Sequence, residues 1–294
     1  MIAAITYVPR RNPLSRAGAL VATAFLGVLA VIAFAFSNPV VLVADAAAVA
    51  AVGLAAGAGR ALALAARWSA WLAALMLATN AVASQRGDTV LARGPDLPVL
   101  GTIDVSAEAL AEGAVLALRL AIVVAVFMVH AACVDPDRVL RLLRPVARRS
   151  ALTATLIMRM VPLAAADHAR LAEATALRGP GAAPVGRPAL ARRLVAGSLE
   201  RAVDVAATLE LRGYSRGAPA SSRREPRARR DPLLWLATAG LTAVAGAGLV
   251  TGAAGYESYP VVSVDHGPAT LAMAAAIPLL ALLPFVPDLH RRRG

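Results

Sequence analysis

The sequence predicts an all-α integral membrane protein of about six transmembrane helices, with long amphipathic cytoplasmic helices between the fourth and fifth spans. Three observations carry this reading. The 294-residue chain is 59% hydrophobic with a mean hydropathy of +0.65, well beyond an ordinary soluble domain of this size. It contains runs close to the ~20 apolar residues that a helix needs to cross the hydrocarbon core. Its arginines alternate from loop to loop as they do in multi-pass proteins.

The spans lie at 17–36, 39–59, 68–84, 110–133, 232–254 and 268–287. The first carries no charge, while the second holds Asp45, the third Asn80, and the fourth Glu112, Arg119 and His130. The second and third are the weakest. Arg10, Arg11 and Arg16 precede the first span in the manner of a signal peptide. Its apolar run exceeds the roughly 7 to 15 residues of a secretory core, and Ser37-Asn38-Pro39 is a poor cleavage site, so it reads as a retained span.

With the N-terminus inside, every inner segment is basic and no outer segment is. Residues 134–231 dominate, with 19 arginines against nine acids. Both termini are then cytoplasmic, on the inner face of a bacterial-type cell membrane. The excess charge, +12 overall, suits anionic lipid at about 1 kcal/mol per arginine near the surface. Nucleic acid is a poor alternative, because Tyr214 is the sole aromatic residue in 134–231 that could stack on a base.

The chain therefore divides into 1–133 with four spans, 134–217 with cytoplasmic helices, an Arg/Pro-rich linker at 218–231, and 232–294 with two spans. Within the cytoplasmic part, Val139, Leu140, Leu142, Leu143 and Val146 make one face of a basic amphipathic helix over 135–149. A second helix is predicted over 151–178, with Leu152, Leu156, Ile157, Met160 and Val161 on one face and a kink at Pro162. A Gly/Pro-rich connector follows at 179–188. A third helix runs over 189–212, where Leu190, Leu194, Val195, Leu199, Ala202, Val203, Ala206 and Leu209 form a stripe.

The two later helices end on the same tripeptide, Leu177-Arg178-Gly179 and Leu211-Arg212-Gly213. One copy is an ordinary helix stop, with glycine after the C-terminus and a cation in the last turn. Two copies in the one large cytoplasmic segment suggest a two-point docking surface. An arginine at a helix tip offers a planar fork of donors that matches a carboxylate.

Catalytic signatures are few. The chain has no lysine, which excludes the phosphate-binding loop Gly-x-x-x-x-Gly-Lys-Ser/Thr. His130, His168, His266 and His290 are scattered and Cys133 is alone, so neither a metal site, a cofactor site nor an internal disulfide is expected. Asp135-Pro136-Asp137 could bind a metal-diphosphate, but its place before an amphipathic helix favours an N-cap. It leaves one alternative function, an inner-face enzyme acting on lipid diphosphates. Asp45 and Arg119 are costly intramembrane charges; a buried structural pair is the favoured reading and contact with a transported solute the other.

Taken together the residues resemble the transmembrane T component of energy-coupling factor transporters, the cobalt-type ABC transporter permease family. The likeness is carried by Tyr7-Val8-Pro9 with Pro13-Leu14-Ser15-Arg16, by Leu100 to Val105, by Leu118-Arg119-Leu120, and most strongly by Met158-Arg159-Met160-Val161-Pro162-Leu163 with the two Leu-Arg-Gly regions. It implies a non-catalytic energy coupler in an importer of a vitamin or transition-metal ion. It further implies two cytoplasmic ABC-type ATPases as partners, docked at Arg178 and Arg212, and a separate small substrate-binding membrane subunit. Arg159 and Pro162 would serve coupling. The family more often has alanine where both copies here have leucine.

Overall fold

A computed structural model describes residues 12–83, 89–97, 101–143, 148–178, 185–211, 231–259 and 261–286. They fall into two compact units, one drawn from 1–139 and 226–294, the other from 140–225.

The first unit opens with a single-turn helix, α1 (Pro13–Arg16). Asn12 caps it by a reciprocal box: its Oδ1 accepts from the Ser15 amide at 2.7 Å, while Ser15 Oγ accepts from the Asn12 amide at 3.4 Å. Such caps satisfy the amides that a helix start leaves free. The buried Asn12 also donates from Nδ2 to the Ala56 carbonyl at 2.7 Å, tying α1 to the C-terminal end of the helix Pro39–Ala55.

Two apolar helices of 17 residues follow, α2 (Ala19–Ala35) and α3 (Pro39–Ala55). Asn38 separates them: the proline after it confines it to extended backbone, and its side chain caps α3 through the Val40 amide at 2.9 Å. Gly57, at φ 75°, closes α3. The Gly57 amide bonds Leu54 O and the Ala58 amide bonds Gly53 O, a pairing that requires the left-handed conformation glycine takes freely.

Four further helices complete this unit's membrane elements: α4 (Gly59–Ala83), α5 (Ala107–Cys133), α9 (Asp231–Thr251) and α10 (Pro268–Leu282), the last extended by a 3-10 turn at Leu283–Phe285. These four are long and apolar enough to cross a membrane, and α2 and α3 are the two shorter apolar helices. The all-α membrane class follows. α5 packs against α2, α3 and α4; α3 also against α10; and α9 against α2 and α10. Their shared core includes Phe25, Leu29, Ile32, Val41, Leu42, Val129, Leu241 and Ile277, each at most 1% exposed. Small residues let these helices close up. A Cβ at Gly53 would lie 2.8 Å from Leu62 and one at Gly248 2.8 Å from Met273, the close approach on which membrane helix packing relies.

The expected loop at 60–67 is instead the first part of α4. No helix breaker lies between Gly59 and Trp68, and both Arg60 and Arg67 are exposed, so their charged ends stay wet while alanine-rich backbone winds on. The segment before α5 carries two strands that a purely helical reading omitted, β1 (Val90–Leu97) and β2 (Gly101–Ser106). They are antiparallel, from Val90 opposite Ser106 to Leu97 opposite Gly101, with two register shifts. A second pair, β3 (Tyr256–Glu257) and β4 (Ser263–Val264), joins α9 to α10.

In the second unit lie α7 (Arg148–Ala176) and α8 (Arg187–Leu211), preceded by α6 (Pro136–Leu143), whose residues are divided between the units after Val139. α7 is one element with Pro162 inside it; the ring removes a donor from the Met158 carbonyl. α7 residues Leu156, Met160 and Ala164 lie beside Ser198 and Arg201 of α8. Further along α7, Leu171 lies beside Arg193 and Leu194. Advancing on α7 thus means retreating on α8, so the helices cross in antiparallel sense.

Candidate functional site

The Leu-Arg motifs stand at the ends of α7 and α8. Beyond Ala176, α7 finishes in a turn: the Leu177 amide bonds Glu173 O at 3.0 Å and the Arg178 amide bonds Thr175 O at 3.4 Å. Leu177 is 81% exposed and Leu211 89% exposed, and Arg178 is exposed as well. Burying a leucine is worth about 1.5 to 3 kcal/mol, and neither side chain gains that within the described residues. Gly179, Arg212 and Gly213 lie outside the described residues.

The antiparallel crossing sends the two tips in opposite directions. Arg178 is 11 residues past Asp167, and Leu211 is 10 past Arg201, about 16 and 15 Å at 1.5 Å per helical residue. Asp167 and Arg201 form the ion pair at the crossing. Of the other coupling candidates, Arg159 and Pro162 both lie exposed on α7.

Asp45 and Arg119 do not pair. Arg119, on α5, donates from Nε to the Ala33 carbonyl at 2.9 Å, and from Nη2 to the Phe36 carbonyl at 3.3 Å and Ser37 Oγ at 2.9 Å. It therefore caps the C-terminal end of α2, where carbonyls lack helical donors and the dipole favours a cation. The buried Asp45–Arg119 pair expected from the sequence does not form. The carbonyls of Ala33 and Phe36 at the α2 end are the acceptors within reach of Arg119. Asp45 is fully buried, and neither carboxyl oxygen has a hydrogen-bond partner among the described residues.

Asp135 behaves as the N-cap of α6. Its Oδ1 accepts from the Asp137 amide at 2.9 Å, and its other oxygen lies 3.6 Å from Arg138 Nε. Those contacts engage the carboxylate that the diphosphate alternative would need. Sequence reading missed a polar knot around Asn38. This fully buried side chain donates from Nδ2 to the Gly255 and Asp265 carbonyls at 3.0 and 2.9 Å. Thr270 Oγ1 accepts from the Ala254 amide at 3.0 Å and donates to Asp265 Oδ2. Those hydrogen bonds, with Thr270's foremost and the Gly267 amide's next, hold the Asp265 carboxyl below its ordinary value. An Asn-Pro step between two apolar runs was the available signal.

No curated protein matches the chain. A family model described as CbiQ, cobalt transport protein, matches residues 10–222, from just before α1 through both Leu-Arg-Gly copies. The chain belongs to this family, the transmembrane T components of energy-coupling factor transporters, and is a multi-pass cobalt transport permease component of an ABC-type transporter.

Proposed function

We propose that the chain is the energy-coupling scaffold of an energy-coupling factor importer. In this reading α7 and α8 transmit ATP-driven movement from two cytoplasmic ATPases to a separate small membrane subunit that captures a vitamin or transition-metal ion. Arg178 docks one ATPase and Arg212 the other, each with its neighbouring leucine and glycine. Residues 134–217 form the coupling part, the basic linker at 218–231 lies against anionic headgroups, and both chain termini are cytoplasmic. The chain itself is non-catalytic.

The observation that carries the reading is the geometry of the tips. Leu177 and Leu211 are among the most exposed large apolar side chains described, each directly precedes an arginine, and the crossing directs them apart. Coupling requires that the helix pair prefer different positions in the two nucleotide states, and a pair free of a shared packed core has room to do so. Arg119 and Asp45 belong to the membrane unit's framework.

Removing an arginine from a carboxylate partner in a buried interface costs about 2 to 5 kcal/mol. The test is purification of the whole complex carrying Arg178→Ala and Arg212→Ala together, followed by uptake in proteoliposomes. The proposal expects the ATPases to be lost and uptake abolished. Full ATPase recruitment with undiminished uptake would overturn it.

A further inference from the structure

An ion pair links α7 and α8. Arg201 donates from Nη2 to Asp167 Oδ2, and Arg170, one turn further along α7, lies 3.7 Å from Oδ1. The Asp167 and Arg201 side chains are 24% and 35% exposed, against 81% for Arg170. Asp167 and Arg201 are thus partly shielded from water and salt, which is where a charge-assisted fork is stronger than at an open surface.

To either side the helices part. A groove of about 290 Å³ opens beside Leu156, Met160 and Ser198, and another of about 410 Å³ beside Leu171, Leu194 and Gly197. Arg201 lines both. No residue of α8 is buried. Interdigitated side chains normally fix how two helices cross; here that packing is open, and the ion pair remains to define the crossing point.

Sequence spacing adds a second, independent feature. Asp167 and Arg201 are 34 residues apart, and so are Arg178 and Arg212. Each docking arginine therefore follows its member of the pair by 11 residues. From that point α7 runs about 16 Å to Arg178 and α8 about 15 Å to Leu211, so a rotation of about 10° would move each end by about 3 Å.

The geometry points to Asp167 and Arg201 as a positioning pair: a pivot that sets the crossing of α7 and α8 and thereby the spacing of the two docking arginines. This inference rests on the reading of those arginines as ATPase anchors. Arg170 is an auxiliary contact, exposed enough to dispense with.

The experiment places spin labels at Ala174→Cys and Thr208→Cys in the full chain in lipid nanodiscs, with Cys133→Ala and Arg170→Gln throughout. Their separation is measured by pulsed electron resonance, and ATPase affinity on the same samples. The parent gives one narrow distance. Asp167→Asn and Arg201→Gln each widen the distribution at least twofold and weaken ATPase binding about tenfold, whereas the exchange Asp167→Arg with Arg201→Asp restores both. A generally damaged helix pair would not be rescued by that exchange. Unchanged distances in the single variants, or an exchange as broad as either single variant, overturn the pivot whatever the ATPases do. Widened distances with unaltered ATPase affinity overturn the positioning role if Arg178→Ala with Arg212→Ala still abolishes binding. If that double variant also binds normally, the docking reading fails and the pivot stands as a structural feature.

Discussion

On α2, Phe25, Leu26, Leu29 and Ile32 are each no more than 1% exposed, while on α8 Val195, Leu199 and Val203 are all above 60%. Both helices carry apolar residues at helical spacing. The difference lies in what covers them: α2 meets α3, α5 and α9 within its own unit, and α8 meets α7 at little more than a crossing. The first unit closes its core from its own sequence. The second leaves apolar surface on α8 and at Leu177 and Leu211 open, which supports the proposed coupling role.

The strongest challenge to that contrast is a pair of truncations. Phe25→Ala in the filled core is expected to cost about 3 to 5 kcal/mol, whereas Leu199→Ala on α8 should stay within about 0.5 kcal/mol. Denaturant unfolding of the isolated chain in mild detergent measures both, and equal costs would dissolve the distinction. Arg119→Leu comes next. It strips the α2 end of a charged donor to two carbonyls and a hydroxyl, and should lower stability by about 2 to 3 kcal/mol, without altering ATPase binding.

Asn38→Ala should cost about 1 to 2 kcal/mol, loosening the α2–α3 and α9–α10 connections together; amide exchange at Val40 and Asp265 would report both. The smallest effect is pH-dependent. Asp265 is ionised more readily when folded than its ordinary value of 3.8 implies, because Thr270 and the Gly267 amide bond its carboxylate. Its stabilisation is therefore full above about pH 4 and fades as pH falls through the lower, folded value. Asp265→Asn should flatten the fall in thermal midpoint below pH 4 and leave the pH 7 behaviour of α7 and α8 untouched.

Hydropathy made the spans legible because a bilayer imposes length and apolarity on each one directly. Their edges were less so. Arg60 and Arg67 made 60–67 look like a loop, although helical backbone tolerates arginines whose side chains reach water. The β1–β2 hairpin escaped because Asp96, Arg93 and Asp104 break any clean apolar alternation. Arg119 and Asp45 invited pairing by opposite charge alone; one-dimensional reading could not see that the nearer acceptors for Arg119 are the carbonyls at the end of α2. The docking candidates were legible as a repeated tripeptide, but the repeat could not reveal that α7 and α8 cross antiparallel and send their ends apart.

The central claim, that each arginine serves one ATPase, is tested most directly by stoichiometry. Purified ATPase subunits are titrated onto the chain in nanodiscs and the complexes weighed by native mass spectrometry. One ATPase per arginine means two ATPases on the unaltered chain, one on Arg178→Ala, one on Arg212→Ala and none on the double variant. Two ATPases retained on the double variant would contradict it.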